Sequence, residues 1–169
     1  MNFKNILFFC VFLYTAPVAL PQNEENNPDE LSKKTFKERL VYNISGGLWI
    51  GTVTNINIMP QVGYRITPRL TSGIGANLLY YKDNRFTGNN QFLVYGGNAF
   101  TRYAITPELF TQVEYQALNY NRTLGHYALI GGGYVPGSGV YISAYYLLLY
   151  PANNNIYGAP YVVRMGFSF

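Results

Sequence analysis

Four charged residues could give this chain an internal site: Arg65, Arg102, Glu114 and Arg164. Each lies in a stretch of alternating polarity, on the parity opposite to the apolar residues, so all four are expected on the same side of a sheet. A carboxylate among guanidinium groups could carry protons or ions. A structural cluster of paired charges is the simpler interpretation, because buried charges are normally paired. We predict the structural cluster, centred on Glu114, since isolated charges in a confined interior are costly.

His126 is the only histidine and could act as the base of a hydrolase, with Ser143 on the neighbouring predicted strand as its nucleophile. No Asp or Glu is placed to orient the imidazole, and triad geometry does not follow from one residue. We therefore predict no catalytic residue, and we keep a lipid-acting enzyme that uses His126 as an alternative. A polar residue at the rim of the fold is the simpler interpretation of His126.

No cofactor-binding or metal-ligating residues are predicted. The sequence has no set of His, Cys, Asp and Glu at the spacing that metal ligands need. Gly131-Gly132-Gly133 is only superficially like a phosphate loop, because no Lys-Ser/Thr pair and no helix follow it. A bulge or close packing between strands accounts for these glycines better.

The elements that hold these residues are indicated by a period of two. From Tyr161 to Phe169 every second residue is apolar or aromatic and most of the residues between them are small or polar, which predicts a strand with one apolar face. Similar alternation from Leu40 onward predicts eight strands, each near the 9–11 residues that a tilted transmembrane strand needs. They span residues 41–52, 55–66, 70–82, 91–104, 109–120, 124–135, 139–150 and 159–169.

The connections between the predicted strands alternate in length. Tight turns that contain Pro follow strands two, four and six, at 66–70, 105–109 and 135–139. Longer polar loops follow strands three, five and seven, at 82–90, 119–123 and 150–158. Short periplasmic turns and longer outer loops are typical of outer-membrane barrels. Loops 82–90 and 150–158 are Asn-rich, each with an aromatic residue expected to be exposed; they could recognise a glycan or a partner, although solvated loops are the simpler interpretation.

The alternation also predicts which side chains face outward and which fill the interior. Strands one, two and seven are expected to point Tyr42, Ile44, Leu48, Ile50, Ile56, Ile58, Val62, Tyr64, Ile66, Val140, Ile142, Ala144, Tyr146 and Leu148 outward. The facing of strand six stays open, because three consecutive glycines erase its alternation. The charged cluster is expected inside with Asn57, Gln61, Asn77, Asn98, Gln112 and Gln116. Eight strands enclose only enough space for side chains, so a filled lumen is predicted.

The composition suits a wall between lipid and a polar lumen. Hydrophobic residues make up 49 % of the chain and charged residues 12 %, and Tyr and Gly occur 17 times each. Tyrosines near the predicted strand ends fit the two membrane–water boundaries. The net charge of +4 predicts no nucleic-acid partner. Before the barrel, acidic residues (Glu24, Glu25, Asp29, Glu30 and Glu38) more than balance the basic ones (Lys33, Lys34, Lys37 and Arg39), and no basic surface with interleaved aromatic residues occurs elsewhere.

Residues 1–21 have the features of a signal peptide. Lys4 precedes an apolar stretch at 6–13, and small residues and prolines follow. An anchoring helix is a weaker interpretation, because the stretch is shorter than the roughly 20 residues needed to span a bilayer. The cleavage site stays open. Cys10, the only cysteine, would leave with the signal peptide, and residues 22–39 are predicted to be a polar periplasmic lead-in.

Two sets of short motifs are spread over residues 37–169. The front half contains Lys37-Glu-Arg-Leu40, Gly46-Gly47-Leu48, Ile58-x-Pro60-x-x-Gly63-Tyr64-Arg65-Ile66-Thr67 and Gly73-x-Gly75. The back half contains Tyr95-Gly96-Gly97, Glu114-Tyr115-x-Ala117-Leu118, Gly131-Gly132-Gly133-Tyr134 and Val163-Arg164-x-Gly166-Phe167-x-Phe169. Together they resemble the small outer-membrane β-barrel proteins of Bacteroidota, eight-stranded barrels similar to OmpA and OmpW. The resemblance implies an outer-membrane barrel and brings no catalytic residues.

The sequence therefore predicts an all-β protein, an eight-stranded antiparallel up-and-down transmembrane barrel formed by residues 40–169. We expect it in the outer membrane, without enzymatic activity and in a structural or interaction role. Its expected partners are outer-membrane lipid and a larger membrane protein complex. The main alternative is a soluble lipocalin-like barrel, which would place apolar residues inside around an apolar ligand.

Overall fold

In a computed structural model, the chain forms a closed barrel of eight antiparallel strands. The structure describes residues 33–49, 53–83, 91–120, 122–137, 139–151, 156–157 and 159–169. The predicted signal peptide, most of the lead-in and most of loop 82–90 lie outside the described residues. The strands are β1 (Leu40–Trp49), β2 (Val53–Arg65), β3 (Leu70–Asp83), β4 (Gln91–Ala104), β5 (Leu109–Tyr120), β6 (Thr123–Tyr134), β7 (Val140–Leu149) and β8 (Tyr161–Ser168).

The predicted fold class is confirmed. Every strand pairs with its neighbours along the chain, and β8 closes the barrel by pairing with β1. Phe169 extends this closing ladder, because its backbone N–H donates to the carbonyl of Tyr42 (2.8 Å) and its carbonyl accepts from the Tyr42 N–H (3.1 Å). Each strand ends within three residues of its predicted bounds. Among the described residues, no helix has the length and apolar character needed to cross a bilayer.

The repeated Ile-Thr-Pro-x-Leu motif forms two matching turns. In the β2–β3 turn, the N–H of Ile66 donates to the Leu70 carbonyl (2.8 Å), and the Thr67 hydroxyl accepts from the Leu70 N–H (3.0 Å). In the β4–β5 turn, Ile105, Thr106 and Leu109 repeat both contacts at the same distances. The threonine side chain thus gives each turn an additional acceptor for a backbone donor. We call this end of the barrel the turn end and the opposite end the loop end.

The outward and inward faces follow the predicted alternation, although some predicted residues of both faces are half-buried: Ile56, Asn57, Val62, Tyr64 and Val140. The side chains of Leu48 and Ile50, also predicted to point outward, lie outside the described residues. Tyr42, Ile44, Ile58, Ile66, Ile142, Ala144, Tyr146 and Leu148 are exposed on the outer wall. The structure also resolves strand six: Tyr127 and Leu129 are buried in the lumen, whereas His126 and Ile130 face outward. The odd-numbered residues of β6 therefore line the interior.

The lumen is filled, and its contents change along the barrel axis. Toward the turn end, aromatic rings lie against strand glycines: a Cβ at Gly133 would overlap the Phe110 ring, and one at Gly166 would lie 2.6 Å from the Tyr141 ring. Polar side chains occupy the middle. Toward the loop end, an apolar cluster is formed by Leu79, Val94, Leu118, Tyr127, Leu129, Tyr145 and Leu147. The glycines in Gly131-Gly132-Gly133 thus serve close packing, as predicted.

Candidate functional site: the polar network of the lumen

β5 provides the centre of the polar layer. Its even-numbered residues point into the barrel, so Gln112, Glu114 and Gln116 lie in a row on one inner face, and all three are buried. The same parity places Phe110 below this row and Leu118 above it. One strand therefore carries a carboxylate between two amides, with an aromatic ring and an aliphatic side chain at its ends.

Glu114 forms a salt bridge with Arg164 of β8. Arg164 Nη1 lies 2.9 Å from Glu114 Oε2, and the two side chains are 3 % and 0 % exposed. The strands that carry them are separated by β6 and β7 in the barrel order, so this contact crosses the lumen. The Arg164 guanidinium also lies 4.7 Å from the centre of the Tyr145 ring. The Arg164 guanidinium is thus held by the Glu114 carboxylate and by the Tyr145 ring.

Both oxygens of the Glu114 carboxylate are engaged. Oε2 accepts from Gln112 Nε2 (2.9 Å) as well as from Arg164, and Oε1 accepts from Gln116 Nε2 (2.5 Å). Three donors around one buried carboxylate provide the compensation that a charge needs away from water. This geometry favours a fixed structural brace over a group that exchanges protons.

Arg102 joins the network indirectly. Its Nε donates to Gln112 Oε1 (2.8 Å), and Gln112 in turn donates to Glu114. The guanidinium lies 4.2 Å from the ring centre of Phe110 and 5.1 Å from that of Tyr141. Aromatic faces attract cations, so these rings compensate a charge that has no ion-pair partner among the described residues.

Arg65, the fourth residue of the predicted cluster, is the last residue of β2 at the turn end. It is half-buried and pairs in register with Thr71. The salt bridge and hydrogen bonds around Glu114 described above involve the other cluster residues. β2 instead contributes Gln61 to the polar layer, where Gln61 Nε2 donates to Asn98 Oδ1 (2.9 Å) and Asn98 donates to Asn77 Oδ1.

Six buried side-chain atoms of the lumen have no hydrogen-bond partner among the described residues. They are Asn43 Nδ2 and Oδ1, Asn77 Nδ2, Arg102 Nη2, and Arg164 Nε and Nη2. Buried polar groups in folded proteins almost always find a partner, and ordered water is the usual one where protein groups do not reach. We therefore expect bound water in the polar layer beside Arg102, Arg164 and the two asparagines.

Tyr157 was missed by the sequence analysis. Loop 150–158 has the predicted exposed aromatic residue in Tyr150, whereas the Tyr157 hydroxyl donates to Gln116 Oε1 (2.5 Å) inside the barrel. Its ring packs edge-on against Tyr127, with ring centres 5.7 Å apart, and Ile156 packs on the same apolar cluster. Burial raises the pKa of the Tyr157 phenol above its usual value. No periodic pattern marks a loop residue, so the sequence held no signal for this contact.

The structure does not bring together His126 and Ser143, the pair that a hydrolase would need. His126 is exposed on the outer wall, where its Nδ1 lies 2.6 Å from the Tyr115 hydroxyl. Ser143 is buried in the lumen and stands opposite Gly133, seven residues along β6 from His126. Within the described residues, no group of three His, Cys, Asp or Glu side chains is placed to hold a metal ion.

Comparison with protein-family models, with curated proteins and with solved structures finds no match to this chain. The resemblance to the Bacteroidota barrel family stays a prediction. In the lumen itself, hydrogen bonds and a salt bridge between charged and amide side chains link β4, β5, β8 and the loop after β7.

Proposed function

We propose that this protein is an integral outer-membrane β-barrel with a structural or interaction role and without enzymatic activity. One observation carries the proposal: the polarity of the barrel is reversed relative to a soluble protein. Charged and amide side chains fill the middle of the lumen, while large apolar side chains cover the outside. Transmembrane barrels have this arrangement, because their outer surface meets lipid.

The outer wall supports the proposal in detail. Ile74, Val163 and Leu148 are 65 %, 64 % and 60 % exposed. Exposed large apolar residues occur on all eight strands. Apolar area in water costs roughly 25 cal/mol per Å², and soluble monomers rarely expose contiguous apolar patches larger than a few hundred Å². A bilayer around the wall removes this cost.

Exposed tyrosines border the apolar wall. Tyr42, Tyr103 and Tyr134 lie near the turn end, and Tyr95 and Tyr150 lie toward the loop end. Tyrosine favours membrane–water boundaries because it combines an apolar ring with a polar hydroxyl. The two groups therefore fit the two interfaces of one bilayer.

The contents of the lumen favour a closed barrel over a carrier or a pore. The loop end, where a lipocalin-like barrel would hold an apolar ligand, is packed by Leu118, Leu129 and Leu147, and Ile156 and Tyr157 of the loop add to this packing. The soluble alternative would also leave the apolar wall in water. We therefore propose that the protein acts through its lipid-facing wall, its loops and a larger membrane complex docked on them.

Fractionation of the native cells, combined with gel mobility with and without boiling, tests the proposal. Recovery in the outer membrane, with a folded band that shifts on boiling, is expected. Recovery as a soluble periplasmic protein would overturn the proposal and favour a ligand screen for a lipocalin-like barrel. Crosslinking in intact cells would then identify proteins next to the wall and loops.

A further inference from the structure

The residues that precede β1 form a basic segment that packs against the outside of the barrel. We define the basic collar as residues 33–39, which end in a short 3-10 helix at Lys37–Arg39. Phe36 stacks on Tyr64 of β2, with ring centres 5.2 Å apart and planes 26° from parallel. Arg39 Nη1 donates to the Tyr64 hydroxyl (3.3 Å). Two contacts to one tyrosine thus fix the collar at the turn end.

The collar exposes both cationic and apolar groups. Phe36 is 67 % exposed despite its contact with Tyr64, and Lys33 and Lys37 on either side of it are also exposed. Glu38 is the single acidic residue of the collar, and its carboxylate accepts the Thr35 backbone N–H (2.6 Å). Four cationic side chains thus accompany one acidic residue that is engaged in the local turn.

The position of the collar matches the level of lipid headgroups if the barrel spans a membrane. Leu40 begins β1 directly after Arg39, and Tyr42 follows as an exposed tyrosine of the turn-end group. Tyr64 lies at the same end of β2, opposite Leu40 in the strand register. Because interfacial tyrosines lie at headgroup depth, a segment stacked on Tyr64 is held at that depth too.

We propose that the basic collar binds the phosphate groups of anionic phospholipids in the leaflet at the turn end of the barrel. The proposal rests on the outer-membrane function proposed above. Lysines held at a lipid surface attract anionic headgroups within a Debye length, and the exposed Phe36 ring enters the boundary between headgroups and acyl chains. Charge and apolar character on one short segment thus fit a phospholipid surface.

The test uses the protein refolded into vesicles of phosphatidylcholine alone or of phosphatidylcholine mixed with phosphatidylglycerol. Chymotrypsin cleaves after aromatic residues, so its cleavage rate at Phe36, followed by mass spectrometry, reports whether the collar is covered. We expect cleavage to be about tenfold slower in the anionic vesicles at low salt, and the difference to shrink to about twofold or less at high salt.

The variant K33Q/K34Q/K37Q keeps Phe36 and removes three charges, so it should be cleaved at similar rates in both vesicles. K82Q at the other end of the barrel is the matched control and should behave like the wild type. Equal cleavage of the wild type in both vesicles, with the boiling-dependent band shift intact, would overturn the collar proposal and leave the proposed function standing. A chain that gives no folded band in either vesicle would overturn the proposed function.

Discussion

Replacing Glu114 by Gln removes the single carboxylate of the lumen network described above and leaves its shape nearly unchanged. The wild-type carboxylate accepts three hydrogen bonds, two at Oε2 and one at Oε1. A glutamine amide has one oxygen and one NH₂ group. In the variant, an NH₂ group therefore replaces one of the two carboxylate oxygens. This NH₂ group faces an N–H donor of Arg164, Gln112 or Gln116, with which it forms no hydrogen bond.

The expected loss follows from burial. Glu114 and Arg164 are almost completely buried, so solvent screens their attraction little. Removing one partner of a buried ion pair costs about 3–5 kcal/mol, because the other charge is left uncompensated. The Arg164 ring contact with Tyr145 remains and keeps the guanidinium in place. We therefore expect the free energy of unfolding of Glu114→Gln to fall by about 3 kcal/mol or more.

Urea titration of the protein in vesicles, followed by the folded band on unboiled gels, measures this loss. Glu108→Gln, in the exposed β4–β5 turn, is the matched control and should change the free energy by about 0.5 kcal/mol or less. In the double variant E114Q/R164Q, the loss should be smaller than the sum of the two single losses, since the pair is coupled. A Glu114→Gln protein as stable as the Glu108→Gln control would refute the structural role of the cluster.

Two further substitutions test the filling of the lumen. Tyr157→Phe leaves the buried Gln116 carbonyl without its donor and should cost about 1–3 kcal/mol of unfolding free energy. Because burial raises the folded pKa of Tyr157 above the unfolded value of about 10, this stabilisation should be present below about pH 10 and lost as the pH rises through the folded pKa. Urea midpoints from neutral to alkaline pH should show the difference from the wild type shrinking, and a constant difference would contradict the assignment. Gly133→Ala should cost about 1–3 kcal/mol in the same titration by overlap with Phe110. Gly47→Ala, which meets no atom within 4 Å, should cost less than about 0.5 kcal/mol, and equal losses in both variants would count against close packing at Gly133.

The fold was predictable because the geometry of a barrel produces a local pattern in the sequence of each strand. Alternating residues face the outside and the lumen, so the strands could be located from the alternation of polar and apolar residues, and prolines and threonines marked the tight turns. The facing of β6 was not predictable, because Gly131, Gly132 and Gly133 carry no side chains from which a face can be read. Only the pairing of β6 with β5 and β7 determines it.

For the site, the sequence predicted which face of the sheet each residue lies on, but not which side chains are in contact. Parity placed Arg102, Glu114 and Arg164 on the inner face, but the length of each side chain decides which groups touch. Gln112 lies between Arg102 and Glu114, so these two residues are linked through an amide. The contact of Tyr157 with Gln116 depends on the path of a loop, which follows from no repeating pattern.

The network explains how a barrel of this size can keep charges inside. Backbone pairing already closes the sheet, so the lumen contacts are not needed to seal an edge. They instead tie strands that are not neighbours, since Glu114 of β5 holds Arg164 of β8 across the interior. Gln116 extends this tie to Tyr157 and so to the loop after β7. Each residue in this path contacts the next, so we expect the interior to act as a rigid support. Under the proposed function, recognition of a partner would then fall to the surfaces that this support holds in place: the apolar wall, the basic collar and the loops.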